Sequence, residues 1–308
     1  MAAEPVSDLL GGETGKLLFT AKTPTSYSGL AKGQLQAQTI SGDLLLPSNI
    51  TGRVPAVVIA HGSGGVSDKD YEWAKLFLAQ GWAAFVVDSF TQRNIGKTRD
   101  NQGQLSYAVG IADSLSALQL LATHPRVDSK RIAVTGFSRG GSAALYAVHD
   151  IFRKAVILSD LKFAAHVALY PGCLVWSEKQ TGAPVRIYMG DQDDYQTPET
   201  CGRYVELMRS RGTDALLTVY PGAKHGFDNS STSVSVAPRA EQWRDCGHRY
   251  NIDNQTFWRP DTSETRPASE IAAYEASCKR LGASFGGNRK AREGAMSASV
   301  AFLIEVFR

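Results

Sequence analysis

The sequence predicts an α/β fold built on a mostly parallel sheet, and three observations lead there. From residue 55 onward, short and continuously apolar runs alternate with segments of helical spacing. Before residue 47, two stretches carry strand-like patterning instead. One glycine-flanked serine, Ser138, sits where a run of strand type passes into a run of helix type.

In chain order, residues 17–21 and the alternating stretch 35–46 read as antiparallel edge strands feeding the main sheet. The central strands are residues 56–60, 83–87, 132–135, 167–170, 185–189 and 216–220. They are apolar without alternation, as strands covered on both faces are. Between them, residues 71–80, 105–122, 142–148 and 199–211 have helix-compatible spacing, and residues 297–307 form a closing apolar helix. Residues 228–268 break the rhythm: they are polar, carry Pro238, Pro260 and Pro267, and lack periodicity. They read as an irregular insertion within one domain spanning residues 1–308.

Composition narrows the function classes. The chain has 308 residues, 43% apolar and 20% charged, with a formal charge of +3 and no block of like charges. Nucleic acid is not an implied partner. No apolar run reaches the eighteen or so residues of a spanning helix, so no membrane association is expected. Met1-Ala2-Ala3-Glu4-Pro5 has neither a basic nor an apolar region of the kind that directs export. Cys173, Cys201, Cys246 and Cys278 are too far apart for a C-x-x-C metal or redox site. They allow two disulfides in three connectivities or four buried thiols, which means a periplasmic or secreted location if paired and a cytoplasmic one otherwise. N-x-S/T sequons begin at Asn49, Asn229 and Asn254.

Gly136-Phe137-Ser138-Arg139-Gly140 matches G-x-S-x-G, with a strand run ending before it and a helix opening after it. A serine in so sharp a turn projects its oxygen above the sheet, and glycines two residues away on either side avoid collision. This context makes Ser138 the expected nucleophile of an α/β-hydrolase fold. Negative charge on an attacked carbonyl oxygen needs two backbone N–H donors. Arg139, following the nucleophile, supplies one; Ser63, in the glycine-rich loop His61-Gly62-Ser63-Gly64-Gly65 after an early strand, is expected to supply the other. His61 itself reads as a structural turn residue.

The base should follow the last strand, with its acid after an earlier one. His225, in Tyr220-Pro221-Gly222-Ala223-Lys224-His225-Gly226-Phe227-Asp228, is preferred over His248, which lies inside the insertion. For the acid, the residues at one strand end, Gly190-Asp191-Gln192-Asp193-Asp194, leave three carboxylates in competition. Arg93, after Asp88-Ser89-Phe90, is a candidate contact for an acidic substrate group, and Trp243 and Trp258 of the insertion are candidate walls of the substrate site.

Together these segments, from about residue 55 to 228, resemble the dienelactone hydrolase-like family of α/β-hydrolases. The resemblance rests on His61-Gly62, Val87-Asp88-Ser89-Phe90, Arg131-Ile132-Ala133-Val134, Gly136-Phe137-Ser138-Arg139-Gly140-Gly141, and the Gly190 and His225 motifs. It implies Asp193 as the acid, with Asp194 next in line, and it implies neither a metal nor an organic cofactor. The founding dienelactone hydrolases carry cysteine where this chain has Ser138, and they lack the cysteine-bearing insertion. A serine nucleophile points to small-molecule carboxylic esters. A serine peptidase or acyltransferase on the same scaffold, and a catalytically silent binding protein, are the competing expectations.

Overall fold

In the computed structural model, which describes residues 4–48 and 51–308, an eight-stranded sheet runs through the molecule. The first three residues of the export reading and Asn49 of the first sequon lie outside the described residues. The sheet comprises β1 (Gly15–Pro24), β2 (Leu35–Leu45), β3 (Val54–Ala60), β4 (Ala83–Asp88), β5 (Val127–Phe137), β6 (His166–Leu169), β8 (Val185–Gly190) and β9 (Ala215–Tyr220); a short strand, β7 (Val175–Trp176), falls outside it. The spatial order is β1-β2-β4-β3-β5-β6-β8-β9. β1 pairs antiparallel with β2, and β2 antiparallel with β4; every later pair is parallel.

Each strand expected from an apolar run is present. All seven residues of β3, Val-Pro-Ala-Val-Val-Ile-Ala, are buried, and since successive side chains alternate in direction, both faces must be covered. The covering helices are α1 (Tyr27–Ala31), α2 (Asp68–Leu78), α3 (Tyr107–Leu121), α4 (Arg139–Tyr146), α5 (Asp150–Val156) and α6 (Pro198–Ser210), with α8 (Arg289–Val306) closing the chain after α7 (Ile271–Cys278). Their starts follow local chemistry. The Asp70 carboxylate accepts hydrogen bonds from the Ser67 backbone N–H and hydroxyl at the head of α2, Ser106 caps α3, and Asn288 caps α8 by accepting from the Ala291 N–H.

The excursion after β9 differs from the irregular insertion expected over 228–268. It continues to residue 287 and carries β10 (Ser235–Gln242), β11 (Arg249–Asn251), β12 (Thr256–Trp258), β13 (Thr265–Pro267), α7 and β14 (Arg280–Phe285). β10 pairs with β14, while β13, β12, β11 and β7 form a second small sheet. Because β7 precedes β8 in the chain, the excursion is stitched to the main body by backbone hydrogen bonds such as Tyr250 N–H to Leu174 O (2.7 Å). It closes where it opened: Asn288 N–H donates to Phe227 O at 2.8 Å. Its strands are three to eight residues long, too short to impose a readable period.

The cysteines form two disulfides, Cys173–Cys201 and Cys246–Cys278. The first ties the β6–β7 connection to α6, and the second joins the β10–β11 turn to the end of α7. No helix of the described residues is long and apolar enough to cross a membrane.

Candidate active site

Three loops at the ends of parallel strands converge on Ser138, as ligand sites in such sheets do. Ser138 lies between β5 and α4 with φ +54° and ψ −115°, a conformation disfavoured for any residue with a Cβ. Its surroundings hold it there: Ser138 N–H donates to Leu169 O at 3.0 Å, and Ser138 O accepts from Ser142 N–H at 2.8 Å. The flanking glycines are sterically required. A Cβ on Gly136 would collide with the Gly140 carbonyl, and one on Gly140 with the Ala60 carbonyl.

His225 follows β9. Its Nε2 is 2.8 Å from Ser138 Oγ and its Nδ1 is 2.9 Å from Asp193 Oδ2. The tautomer satisfying both contacts carries its proton on Nδ1, so His225 donates to Asp193 and accepts from Ser138. Tyr195 stacks on the imidazole with ring centroids 4.1 Å apart, and Tyr170 meets it edge-on at 4.7 Å. The His225 carbonyl accepts from Gly286 N–H at 3.0 Å, so the end of the excursion braces this loop.

The three carboxylates after β8, which sequence spacing left in competition, have separate tasks. Asp193 is buried, and its Oδ1 accepts from the backbone N–H groups of Tyr195 and Gln196 while Oδ2 faces His225. Asp194, next in line by resemblance, turns away and accepts from the Ser284 N–H and hydroxyl, tying β14 down. Asp191 accepts from Gly222 N–H at 2.7 Å.

Arg139 follows Ser138 directly and opens α4. A Cβ on Gly62 would sit 3.7 Å from Ser138 Cβ, which places the Ser63 loop against the serine. The Arg139 guanidinium donates to the carbonyls of Leu105 and Gln102 and to Gln102 Oε1, and lies over the Tyr107 ring at 3.9 Å. Gln102 in turn donates to Ser63 Oγ at 3.0 Å, linking the two residues through one carboxamide. Sequence reading missed Gln102, because a loop glutamine carries no local signal. His61 has the structural part expected of it: Nδ1–H donates to Gly62 O, and Nε2 accepts from Ser89 N–H.

Two expected substrate contacts are corrected. Arg93 is not at the site. Its guanidinium is buried in a bidentate ion pair with Asp113, 2.8 and 3.0 Å, and also donates to Thr23 Oγ1 and Ser89 O. Trp258 is also away from Ser138, its ring lying beneath the guanidinium groups of Arg203 and Arg249. Trp243 does line the chamber beside Ser138.

That chamber has a volume of about 390 Å³, within the usual range for small-molecule sites. Its walls include Tyr27, Tyr107, Tyr195, Gln196, Trp243 and Glu275. Burial pushes the Tyr195 hydroxyl up to about 12, and burial, then the Asp228 carboxylate, holds Tyr170 well above the usual phenol range. Both phenols are neutral near pH 7. Tyr170 donates to Asp228, whose other oxygen accepts from Trp73 Nε1–H. Among the described residues, no group of three or more His, Cys, Asp or Glu side chains is arranged to hold a metal ion.

Known proteins match this chain by sequence and by fold. The dienelactone hydrolase family model matches residues 40–247, ending inside the excursion. A putative carboxymethylenebutenolidase from Yersinia pestis is 25% identical over 220 residues, 68% of this chain and 82% of that protein. A probable 2-oxo-3-(5-oxofuran-2-ylidene)propanoate lactonase from Bradyrhizobium sp. is 24% identical over 187 residues, 58% of this chain and 75% of that protein. A dienelactone hydrolase-like promiscuous phosphotriesterase from metagenomic libraries superposes with a TM-score of 0.56 at 15% identity, covering 96% of this chain and all of that one. A putative dienelactone hydrolase from Klebsiella pneumoniae gives 0.51 at 21% identity, covering 68% and 88%. The chain belongs to the dienelactone hydrolase family and is a hydrolase acting on ester bonds.

Proposed function

We propose that the chain hydrolyses small-molecule carboxylic esters in two steps, with Ser138 as nucleophile, His225 as general base and then acid, and Asp193 as its orienting carboxylate. The observation carrying this reading is the unbroken hydrogen-bonded relay: 2.8 Å from Ser138 to His225 and 2.9 Å from His225 to Asp193.

In the first step Ser138 Oγ attacks the ester carbonyl as its proton passes to His225 Nε2. The resulting imidazolium is stabilised by Asp193. The oxyanion is held by the backbone N–H groups of Ser63 and Arg139, aided by the N-terminal dipole of α4. Collapse breaks the ester C–O bond, and the leaving alkoxide takes the proton from Nε2. In the second step water gives a proton to His225, attacks the acyl-serine and releases the acid, restoring Ser138. The chain acts as one hydrolase domain whose excursion walls the site. Its two disulfides fit an oxidising compartment, the periplasm or the exterior of the cell.

The test pairs labelling with turnover. A fluorophosphonate should modify wild type stoichiometrically at Ser138 and leave Ser138→Ala untouched. Hydrolysis of p-nitrophenyl acetate should fall by roughly three or more orders of magnitude in kcat in the folded variant. A wild type that neither labels nor turns over would point to a silent binding protein, and a fully active Ser138→Ala would overturn the mechanism.

A further inference from the structure

Oxyanion stabilisation by Ser63 and Arg139 relies on two backbone N–H groups that come from different parts of the chain. Arg139 opens α4, where the first N–H of a helix has no carbonyl one turn back to meet. Ser63 stands in a loop among Gly62, Gly64 and Gly65, residues that constrain their own backbone least. Among the described residues, no protein acceptor takes either backbone N–H, so both donors are unspent. A donor helps only if it is held where the oxygen of the tetrahedral intermediate forms, and a misplacement of about 1 Å can cost on the order of a hundredfold in rate.

One side chain joins the two parts. Gln102 belongs to the short helical turn Gln102–Gln104 ahead of α3. Its Oε1 accepts from Arg139 Nη2 at 3.0 Å and from Nε at 3.3 Å, while its Nε2 donates to Ser63 Oγ at 3.0 Å. A guanidinium can only donate, which turns Oε1 toward Arg139 and leaves Nε2 for the serine hydroxyl. Among the described residues, Gln102 is the one side chain hydrogen-bonded to both Ser63 and Arg139.

The backbone around Gln102 makes the bridge stiff. Arg139 Nη2 donates to Gln102 O at 2.8 Å and Nη1 to Leu105 O at 2.9 Å. On the other side, the Ser63 carbonyl accepts from Thr98 N–H at 2.8 Å. Arg139 is only 5% exposed, so its guanidinium has little water to turn to if these partners are lost.

We propose that Gln102 is a positioning residue for the oxyanion hole: its carboxamide sets the Ser63 donor against the Arg139 donor, and so serves turnover rather than substrate affinity. This role rests on the ester-hydrolase reading, and the two fail in different ways.

Gln102→Leu keeps a side chain of similar bulk and removes the bridge. With p-nitrophenyl acetate its kcat should fall about ten- to a hundredfold while KM stays within about twofold, a smaller loss than deleting a donor outright. Ser63→Ala keeps the backbone N–H and cuts only the link to Gln102, so kcat should fall about three- to tenfold. The double variant should match Gln102→Leu to within about twofold, because both changes break the same link. Two inhibitors separate positioning from general damage. Attack by Ser138 turns 1,1,1-trifluoro-4-phenylbutan-2-one into a tetrahedral oxyanion, and its affinity should fall in Gln102→Leu by the same factor as kcat/KM. The unfluorinated 4-phenylbutan-2-one stays trigonal and should bind wild type and variant alike. If Ser138→Ala is inactive but folded Gln102→Leu keeps kcat within about twofold of wild type, or loses affinity for both ketones equally, the positioning role is refuted and the hydrolase reading stands. Should Gln102→Leu fail to fold, full kcat in Ser63→Ala refutes the role by itself. A wild type that neither labels nor turns over overturns both.

Discussion

Replacing Asp193 by asparagine isolates the part of the relay that sequence spacing could not assign. The carboxylate oxygen lies 2.9 Å from His225 Nδ1. With an effective dielectric constant of about 20, a unit charge pair at that distance is worth about 6 kcal/mol. That energy applies chiefly to the imidazolium formed as Ser138 loses its proton, and at about 1.4 kcal/mol per decade it corresponds to a loss of about four orders of magnitude in kcat. The variant's amide would also favour the other imidazole tautomer, in which Nε2 carries the proton and cannot take one from Ser138. Folding should survive, because an amide oxygen can still accept from the N–H groups of Tyr195 and Gln196. Asp194→Asn is the matched comparison. Its side chain holds Ser284, so kcat should stay within about tenfold of wild type while stability falls by about 1 kcal/mol. Steady-state hydrolysis of p-nitrophenyl acetate by the three proteins, after circular dichroism shows them folded, is the assay. A larger kcat loss in Asp194→Asn than in Asp193→Asn would refute the assignment.

Other consequences follow from groups away from the relay. Arg93→Ala leaves Asp113, 1% exposed, as a buried unpaired charge; stability should drop by about 3–5 kcal/mol, with no change in the ratio of KM values for charged and uncharged esters. Thermal melts and initial-rate kinetics with one charged and one uncharged ester measure the two halves of that statement. Burial lowers His149 to about 3 and His166 to about 4, so both are neutral in the folded protein and charge on unfolding. Stability from this source is fully present above about pH 6.5 and is lost as pH falls toward the folded values; His166 alone should remove about 2 kcal/mol by pH 5, visible as a falling urea midpoint. Joint replacement of Cys246 and Cys278 by serine reopens a loop of 32 residues, worth about 4 kcal/mol of chain entropy. Because Trp243 and Glu275 lie near its ends, KM for ring-bearing esters should rise about three- to tenfold with kcat less affected, as initial-rate kinetics would report.

The central strands and the serine turn were legible for a physical reason. A strand covered on both faces must be apolar throughout, so β3 and β5 announce themselves without help from distant residues. The Ser138 turn requires glycines at fixed offsets because neighbouring carbonyls occupy the space a Cβ would need. Tasks set by tertiary partners were not legible. Asp191, Asp193 and Asp194 share one loop, and what separates them is whether Gly222, His225 or Ser284 arrives opposite. Arg93 reads as a candidate contact for an acidic substrate group until α3 is placed beside it. Yet a signal existed: Asp113 stands in the helix of residues 107–121 amid apolar neighbours, and a carboxylate so placed needs a cation.

The division between legible and illegible follows a division in the molecule itself. Ser138, Asp193 and His225 each sit at the end of a main-sheet strand, within the span matched by the family model, residues 40–247. The chamber's carboxylates, Glu241 and Glu275, come from the excursion, with Glu275 and Cys278 beyond that span. Strand ends fix atoms to within the tolerance that proton transfer demands, since a parallel sheet buried on both faces has little freedom to shift. The excursion has no such core. Its strands are short, its small apolar clusters contain few residues, and a disulfide together with pairing to β7 and contacts such as Asp194 with Ser284 hold it in place. Substitutions there can alter which ester enters while leaving the distances within the relay intact, so substrate choice can change in this chain without any change in its chemistry.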